Sequence, residues 1–197
     1  MAVKVTYFVH GTTLDNLEHK STGWLPGELS QKGIQQSIEL KEKVDINKFD
    51  VIFCSDLKRA VDSAKYTFED NKEIIVDHRL RECNYGDLNG LDTSLVKYEE
   101  HINEKFPNGE SMIDVENRIR SFCEFLLQNY EGKHVAIVAH KAPQLAFQVI
   151  TENKNWNYVI EHDWRKTKSW QPGWDYTIDF SNIKRWRSTS NKVITYV

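Results

Sequence analysis

Residues 135–140 read Val-Ala-Ile-Val-Ala-His, a continuous apolar run that ends in a histidine. A run without any polar side chain is typical of a strand that is buried on both faces of a sheet. Residues 51–54, Val-Ile-Phe-Cys, have the same character, and residues 3–9 form a third, β-branched run that ends just before His10. The three segments predict the central strands of a sheet, and a histidine directly follows two of them.

Helical patterns lie between these strands. Ser30 can cap a helix that runs to about Val44, and residues 56–68 form a second helical segment. A longer helix follows Ser111, which forms a capping-box pattern with Asp114. Apolar side chains recur every three or four residues on one face of this helix, at Met112, Val115, Ile119, Phe122 and Leu126. The alternation of strands and helices predicts an α/β fold, a three-layer α/β/α sandwich.

The chain is short enough for residues 1–197 to form a single domain. Its formal net charge of -3 differs from the basic excess that proteins binding nucleic acid usually carry. The cysteines, Cys54, Cys83 and Cys123, are odd in number and far apart, which favours a reducing compartment. No apolar run approaches the roughly 20 residues of a membrane span. We therefore expect a soluble, cytoplasmic protein with no nucleic-acid or membrane partner, of undetermined oligomeric state.

Ionisable residues follow each predicted strand. His10 and His140 end two of them, Arg59 lies shortly after the third, and Glu82 lies in a loop. Ligands of open α/β sheets bind at the carboxyl ends of the strands. A guanidinium near a helix start binds anions, imidazole can attack phosphorus, and a carboxyl group can protonate a leaving oxygen. The pattern indicates a site that binds an anion and moves a proton, although a histidine or an arginine alone in such a position more often has a structural role.

In six segments the chain resembles the histidine phosphatase superfamily, over residues from about 3 to about 150. The segments occur in the order typical of that family: Val9-His10-Gly11-Thr12-Thr13 with Asn16, Thr22-Gly23-Trp24 followed by Leu29-Ser30-x-x-Gly33, Ser55-x-Leu57-x-Arg59-Ala60, Leu80-Arg81-Glu82-x-x-x-Gly86-x-x-x-Gly90, Gly109-Glu110-Ser111 with Arg118, and Val138-Ala139-His140. The resemblance implies the phosphoglycerate mutase-like fold, with a mixed, mostly parallel central sheet.

The resemblance also implies roles for four catalytic residues. His10 would be the nucleophile that accepts the phosphoryl group, and Glu82 would protonate the leaving oxygen and then activate water. Arg59 and His140 would bind the phosphoryl oxygens. The residues expected to bind the phosphate or the rest of the substrate are Gly11, Thr12, Asn16, Thr22, Gly23 and Lys141. No metal and no cofactor are implied.

Two positions depart from the family pattern. Val9 stands where the family has an arginine that binds phosphate, and Lys141-Ala142 stands where relatives have small residues. One hypothesis joins the two departures, because Lys141 would supply the cation that is absent at position 9. The alternative interpretation is a solvated lysine at the start of a helix.

The implied activity is the hydrolysis of a phosphate monoester of a small metabolite through a phosphohistidine on His10. A catalytically weakened or inactive protein that binds phosphorylated ligands is the alternative, because of Val9. A mutase is less favoured, since residues 90–108 are too few for the substrate-binding insertion of mutases. Residues 151–197 match the family less well, and their tryptophans indicate either packing against the sheet or a lid over the site. Final strands are expected at residues 175–180 and 192–197.

Overall fold

The computed structural model of the chain describes residues 2–68, 73–169, 172–181 and 183. Five strands form one sheet, and they are β1 (Ala2–Val9), β2 (Val51–Cys54), β3 (Ile74–Val76), β4 (His134–Ala139) and β5 (Trp174–Asp179). Their order is β3-β2-β4-β1-β5, in which β5 pairs antiparallel to β1 and the other pairs are parallel. The predicted mixed, mostly parallel sheet is confirmed.

The helices of the described residues lie between and after these strands. They are α1 (Leu14–Leu17), α2 (Gln31–Lys43), α3 (Lys58–Phe68), α4 (Met112–Asn129), α5 (Lys141–Glu152), α6 (Trp156–Glu161) and α7 (Trp164–Thr167). Short 3₁₀ turns occur at Ile46–Lys48, His78–Leu80, Gly86–Leu88, Thr93–Leu95 and Tyr98–His101. Within the described ranges, no helix combines the length and the apolar character that crossing a membrane requires.

The sheet has a hydrophobic cluster on each face because alternate strand residues point to opposite sides. One cluster joins Phe8, Ile52 and Val138 to side chains of α2 and α3. The other joins Tyr7 and Phe53, with further strand residues, to side chains of α4 and α5. Helices therefore cover both faces, and the predicted three-layer sandwich is confirmed.

Local capping explains where two of the predicted helices begin. The Ser30 hydroxyl accepts from the Gly33 N–H at the start of α2. At the start of α4, the Ser111 hydroxyl accepts from the Asp114 N–H at 3.1 Å, and the Asp114 carboxylate accepts from the Ser111 N–H at 2.9 Å. Both side chains satisfy N–H groups that the first helical turn leaves unpaired.

The helix predicted at residues 56–68 begins two residues later than expected, at Lys58 instead of Asp56. Its preceding turn has other partners: the Ser55 hydroxyl accepts from the Leu57 N–H, and the Asp56 carboxylate accepts from the Arg81 guanidinium at 2.8 Å. Ser55 therefore lies before α3, whereas Arg59 lies in its first turn.

The carboxyl-terminal region contributes to both the sheet and the core. The strand expected at residues 175–180 is β5, and the one expected at 192–197 lies outside the described residues. Trp156 and Trp174 are buried in the core. Trp164 is partly buried beside it. The lid interpretation stays a prediction, since Trp170 and Trp186 also lie outside the described residues.

Candidate active site

The register of β1 against β4 brings two histidines together. Val9 lies opposite Ala139 in this parallel pair, so His10 and His140 are the next residues on the two strands. The His10 N–H donates to the Ala139 carbonyl at 3.0 Å, which extends the pairing by one bond. The centroids of the two imidazole rings are 5.1 Å apart. Two residues that are 130 positions apart in the chain thus share one edge of the sheet.

The hydrogen bonds of His10 determine its tautomer. Its Nδ1 lies 2.7 Å from the carbonyl oxygen of Gly11, and because a carbonyl only accepts, Nδ1 carries the proton. Its Nε2 accepts from the Nε–H of Arg59 at 3.3 Å. Burial, together with the positive charge of Arg59, lowers the pKa of His10 from 6.5 to about 3. The ring is therefore neutral near pH 7, and Nε2 holds an unprotonated lone pair.

Arg59 is a buried side chain of α3 that also holds a loop in place. It is 1% exposed. Its two terminal nitrogens donate to the carbonyls of Gly23 at 2.8 Å, Leu25 at 2.9 Å and Pro26 at 3.3 Å. Gly23 has a φ of +55°, the left-handed region that glycine adopts without strain. The guanidinium thus fixes the 23–26 loop beside His10 while its Nε points at the imidazole.

His140 presents two ring nitrogens without a partner in the described part of the chain. The side chain is fully buried, and burial, followed by the charge of Arg59, holds the pKa of His140 well below its usual value. Tyr7 anchors the backbone of His140, because its hydroxyl donates to the His140 carbonyl at 2.8 Å and accepts from the His140 N–H. Leaving a buried polar group unpaired costs about 1–3 kcal/mol, which a bound hydrogen-bonding ligand would recover.

The carboxylate of Glu82 lies at the amino terminus of α5. Its Oε1 accepts from the N–H groups of Cys83 at 2.9 Å and Ala142 at 3.0 Å, and its Oε2 accepts from the N–H of Lys141 at 3.3 Å. His140, the N-cap residue of α5, makes no side-chain cap bond. Glu82 therefore satisfies N–H groups of the first helical turn, and its Oε2 has the weaker contact.

Arg118 and Glu110 hold Glu82 in position, a role that the sequence did not predict. The Arg118 guanidinium on α4 donates to the carbonyls of Arg79, Arg81 and Glu82 at 2.6, 2.7 and 3.0 Å. It is paired with Glu110 at 2.9 Å. Both residues are part of a sequence motif, but neither periodicity nor spacing indicated that the ion pair of Arg118 and Glu110 fixes the loop before Glu82.

A small cavity of about 60 Å³ lies between these elements. Seven of the ten predicted site residues line it, namely His10, Asn16, Thr22, Gly23, Arg59, Glu82 and Lys141. A larger cavity of about 610 Å³ adjoins it, and Gly11 and Thr12 line that cavity instead. His140 lines neither cavity and contacts the site through the ring of His10.

The backbone N–H groups after His10 already have partners. The N–H of Gly11 donates to the Ser63 hydroxyl at 3.0 Å, and that of Thr12 donates to the side-chain oxygen of Gln36 at 2.9 Å. Asn16 lines both cavities, and its side-chain oxygen accepts from the Thr13 N–H at 3.1 Å. We expected Gly11 and Thr12 to bind phosphate, but in this structure their N–H groups are occupied by these other acceptors.

Lys141 borders the small cavity with its charge already paired. Its ammonium lies 3.1 Å from the Asp163 carboxylate and 4.1 Å from the centroid of the Tyr98 ring. Burial lowers the pKa of Lys141, and the charge of Asp163 opposes that effect. The hypothesis that Lys141 replaces an arginine at position 9 stays a prediction.

The cysteines near the site are buried thiols. Burial raises the pKa of Cys54 to about 12 and raises that of Cys83 well above its usual value. A thiolate is the reactive form of cysteine, so neither thiol is suited to act as a nucleophile at neutral pH.

Several known proteins are similar to this chain in sequence or in structure. The chain is 30% identical to a 2,3-bisphosphoglycerate-dependent phosphoglycerate mutase of Bartonella tribocorum over 172 residues, which cover 78% of this chain and 84% of that protein. It is 28% identical to phosphoserine phosphatase 1 of Hydrogenobacter thermophilus, over 73% of this chain and 74% of that protein. A mycobacterial glucosyl-3-phosphoglycerate phosphatase in complex with VO3 has a similar structure, with a TM-score of 0.71, 27% identity and coverage of 79% and 85% of the two chains.

The family comparison covers most of the sheet and all the residues around the small cavity except Arg165. Residues 7–158 match the histidine phosphatase superfamily, branch 1. This match takes in well over half of the chain, from the end of β1 into α6. The chain therefore belongs to the histidine phosphatase superfamily.

Proposed function

We propose that the protein is a phosphatase that hydrolyses a phosphate monoester of a small metabolite through a phosphohistidine on His10. The observation that carries this proposal is the unprotonated Nε2 of His10, which borders the same small cavity as the Glu82 carboxylate. The similarity to a phosphoserine phosphatase and to a glucosyl-3-phosphoglycerate phosphatase supports hydrolysis.

In the first step the Nε2 lone pair of His10 attacks phosphorus. An N–P bond forms while the bond from phosphorus to the ester oxygen breaks, and Glu82, in its protonated form, donates a proton to that oxygen. The Gly11 carbonyl, which accepts from Nδ1–H at 2.7 Å, stabilises the positive charge that develops on the ring. The alcohol then leaves the site.

In the second step a water molecule attacks the phosphohistidine. Glu82 is now a carboxylate and takes a proton from this water, while the N–P bond breaks and inorganic phosphate is released. The ring of His10 returns to its neutral form, and Glu82 is protonated again. Because Oε2 has only one long contact, 3.3 Å to the Lys141 N–H, it is the oxygen suited to carry this proton.

Arg59 and His140 bind the phosphoryl oxygens in both steps. When phosphate occupies the cavity, the Arg59 Nε–H exchanges His10 for an oxygen of the phosphoryl group. His140 lies behind the ring of His10 and has no partner for its ring nitrogens among the described residues, so its one N–H is available to a phosphoryl oxygen once the His10 ring moves to attack phosphorus. Hydrogen-bond donors that are already oriented stabilise the charge spread over the phosphoryl oxygens in the transition state.

The test is turnover of p-nitrophenyl phosphate and phosphoserine by the wild-type protein and by His10→Ala and Glu82→Gln. We expect hydrolysis by the wild type, no hydrolysis by His10→Ala, and a phosphoprotein that is stable in base and labile in acid in Glu82→Gln. A wild-type protein that binds phosphate esters without turnover would contradict the proposal and favour the inactive, ligand-binding alternative.

A phosphoglycerate mutase is the second candidate because the Bartonella tribocorum relative is a mutase. The two activities differ in what happens to the phosphohistidine, which a mutase returns to an organic substrate and a phosphatase passes to water. Incubation with 3-phosphoglycerate and a small amount of 2,3-bisphosphoglycerate, on which the relative's activity depends, separates them: we expect free inorganic phosphate to form faster than 2-phosphoglycerate. The opposite order of rates would favour the mutase.

A further inference from the structure

Arg165 lies beside the proposed nucleophile although it is far from it in the sequence. It is the second residue of α7, where its N–H donates to the Asp163 carboxylate at 2.9 Å. Its guanidinium carbon lies 5.1 Å from the centroid of the Trp164 ring, a cation–π distance. Four described residues line both cavities, namely His10, Asn16, Thr93 and Arg165. The side chain of Arg165 is therefore at the boundary between the two cavities, where His10 lies.

The other cations that border the small cavity have partners. Lys20 is paired with Glu18 at 2.6 Å, and Lys141 is paired with Asp163 at 3.1 Å. Arg59 uses both terminal nitrogens on backbone carbonyls and keeps only its Nε for the site. Among the residues that the structure describes, no carboxylate is paired with the guanidinium of Arg165.

A phosphate monoester brings a charge of about -1.5 to -2 into this site at pH 7. The two histidines offer no positive charge in return, because burial and then the charge of Arg59 lower the pKa of both; Arg165 contributes in the same direction. One guanidinium, that of Arg59, faces the charge of the phosphate ester. A second cation is needed for the charges to balance.

We propose that Arg165 binds the phosphoryl group at His10 and supplies this second guanidinium. The inference rests on the proposed function, and it assigns to α7 the positive charge that the chain does not have at Val9. A guanidinium offers two parallel N–H donors to a pair of phosphoryl oxygens, so its contribution is directional as well as electrostatic. The side chain is exposed and stacks on Trp164 without a carboxylate partner, so it can turn towards the phosphate without breaking an ion pair.

The experiment measures the dissociation constant of inorganic phosphate by isothermal titration calorimetry at fixed ionic strength. It compares the wild type with Arg165→Gln, Arg165→Lys and Lys166→Gln. Lys166 is an exposed neighbour on α7 that lines neither cavity, so its substitution removes the same charge from the same helix. We expect Arg165→Gln to raise the dissociation constant about 10- to 100-fold, Arg165→Lys to recover part of the loss, and Lys166→Gln to match the wild type.

The dependence of phosphate affinity on ionic strength is a second measurement, and it would not change if Arg165 had a purely structural role. Phosphate affinity should fall less steeply with added salt in Arg165→Gln than in the wild type, because one cation no longer contributes. Equal affinities for Arg165→Gln and Lys166→Gln would overturn the inference, and so would a wild-type protein that binds no phosphate. An affinity loss in Lys141→Met without one in Arg165→Gln would assign the role to Lys141 instead.

Failure of this inference is distinguishable from failure of the proposed function. If the wild type hydrolyses phosphate esters and Arg165→Gln keeps both its turnover and its phosphate affinity, the function stands and the role of Arg165 is wrong. If no ester is hydrolysed but Arg165→Gln still binds phosphate more weakly than Lys166→Gln, the proposed function is wrong and Arg165 remains a phosphate-binding residue.

Discussion

The ammonium of Lys141 and the carboxylate of Asp163 are 3.1 Å apart, with only 18% and 4% of their side chains exposed. A carboxylate at this depth depends on its partner, because an isolated charge in the protein interior is poorly solvated. The pair also joins two elements of the site, since Lys141 begins α5 and Asp163 caps α7 with an oxygen that accepts from the Arg165 N–H.

The first prediction follows from this pair. Lys141→Met leaves the Asp163 carboxylate buried without its cation, so we expect the free energy of unfolding to fall by about 3 kcal/mol. Adding Asp163→Asn should recover most of the loss, because asparagine is neutral and still caps a helix. Urea unfolding of the two single variants and the double variant measures this coupling; additive losses would contradict a direct interaction.

Arg59→Lys should reduce both activity and stability. Lysine lacks the fork that reaches the carbonyls of Gly23, Leu25 and Pro26, and leaving such buried acceptors unpaired costs about 3 kcal/mol. The loss of an oriented donor at His10 should lower kcat/KM by about 10²- to 10³-fold. Urea unfolding and steady-state kinetics measure the two effects, with the exposed neighbour Lys58→Gln as the control. Unchanged stability in Arg59→Lys would show that the guanidinium does not hold the loop.

Arg118→Lys tests whether the loop before Glu82 must be held by a guanidinium. We expect kcat to fall about 10- to 100-fold with little change in KM, because Glu82 would be displaced from the leaving oxygen while phosphate binding is retained. Arg120→Lys is the matched control, since Arg120 is also on α4 and is paired with Glu116 at 2.6 Å away from both cavities. Both variants should lose stability, but only Arg118→Lys should lose turnover.

Gly33→Ala should disturb the segment after His10 from a distance. A Cβ at Gly33 would overlap the backbone of Thr12, and the same close approach leaves no room for a side chain at Gly11. The overlapping atoms belong to the backbone and cannot turn aside as a side chain would, so α2 and residues 11–12 must move apart. This movement should lower the free energy of unfolding by about 1–3 kcal/mol. We expect thermal unfolding at a lower temperature and a reduced kcat, whereas the exposed Lys32→Ala should change neither.

The sequence predicted the parts of the site that depend on single strands. Residues 135–139 are apolar on both faces, which identifies β4 and places His140 at its end; the same argument places His10 and Arg59. It could not predict β3, whose three residues are too few for a periodic pattern, or the hydroxyl of Tyr7 on the His140 backbone. Tertiary packing determines these features.

Other parts of the site depend on contacts between distant segments. Arg165 is in a helix of four residues that also contains Trp164, whose ring centroid lies 5.6 Å from that of Trp174 on β5, and such tertiary contacts bring Arg165 to the cavity that His10 lines. The late start of α3 has a similar origin, because Asp56 is held by Arg81, 25 positions away in the chain. Local propensity cannot indicate either contact, since neither partner lies within one helical turn of the other.

The last prediction concerns acid stability. The pKa of His10 is lowered from 6.5 to about 3 by burial and by Arg59, so between these two values the unfolded chain binds a proton that the folded protein does not. The free energy of unfolding must therefore fall as the pH falls from about 6.5, by about 1.4 kcal/mol per pH unit for this histidine. Above about pH 6.5 this histidine adds no pH dependence to the stability.

His10→Gln removes the titrating group, so its free energy of unfolding should decrease less steeply than that of the wild type between pH 6.5 and 5. Urea unfolding at several pH values measures both slopes. Parallel curves for the two proteins would mean that the folded protein takes up a proton at His10 as readily as the unfolded chain, and the neutral, nucleophilic Nε2 inferred from the bonds to Gly11 and Arg59 would then be wrong.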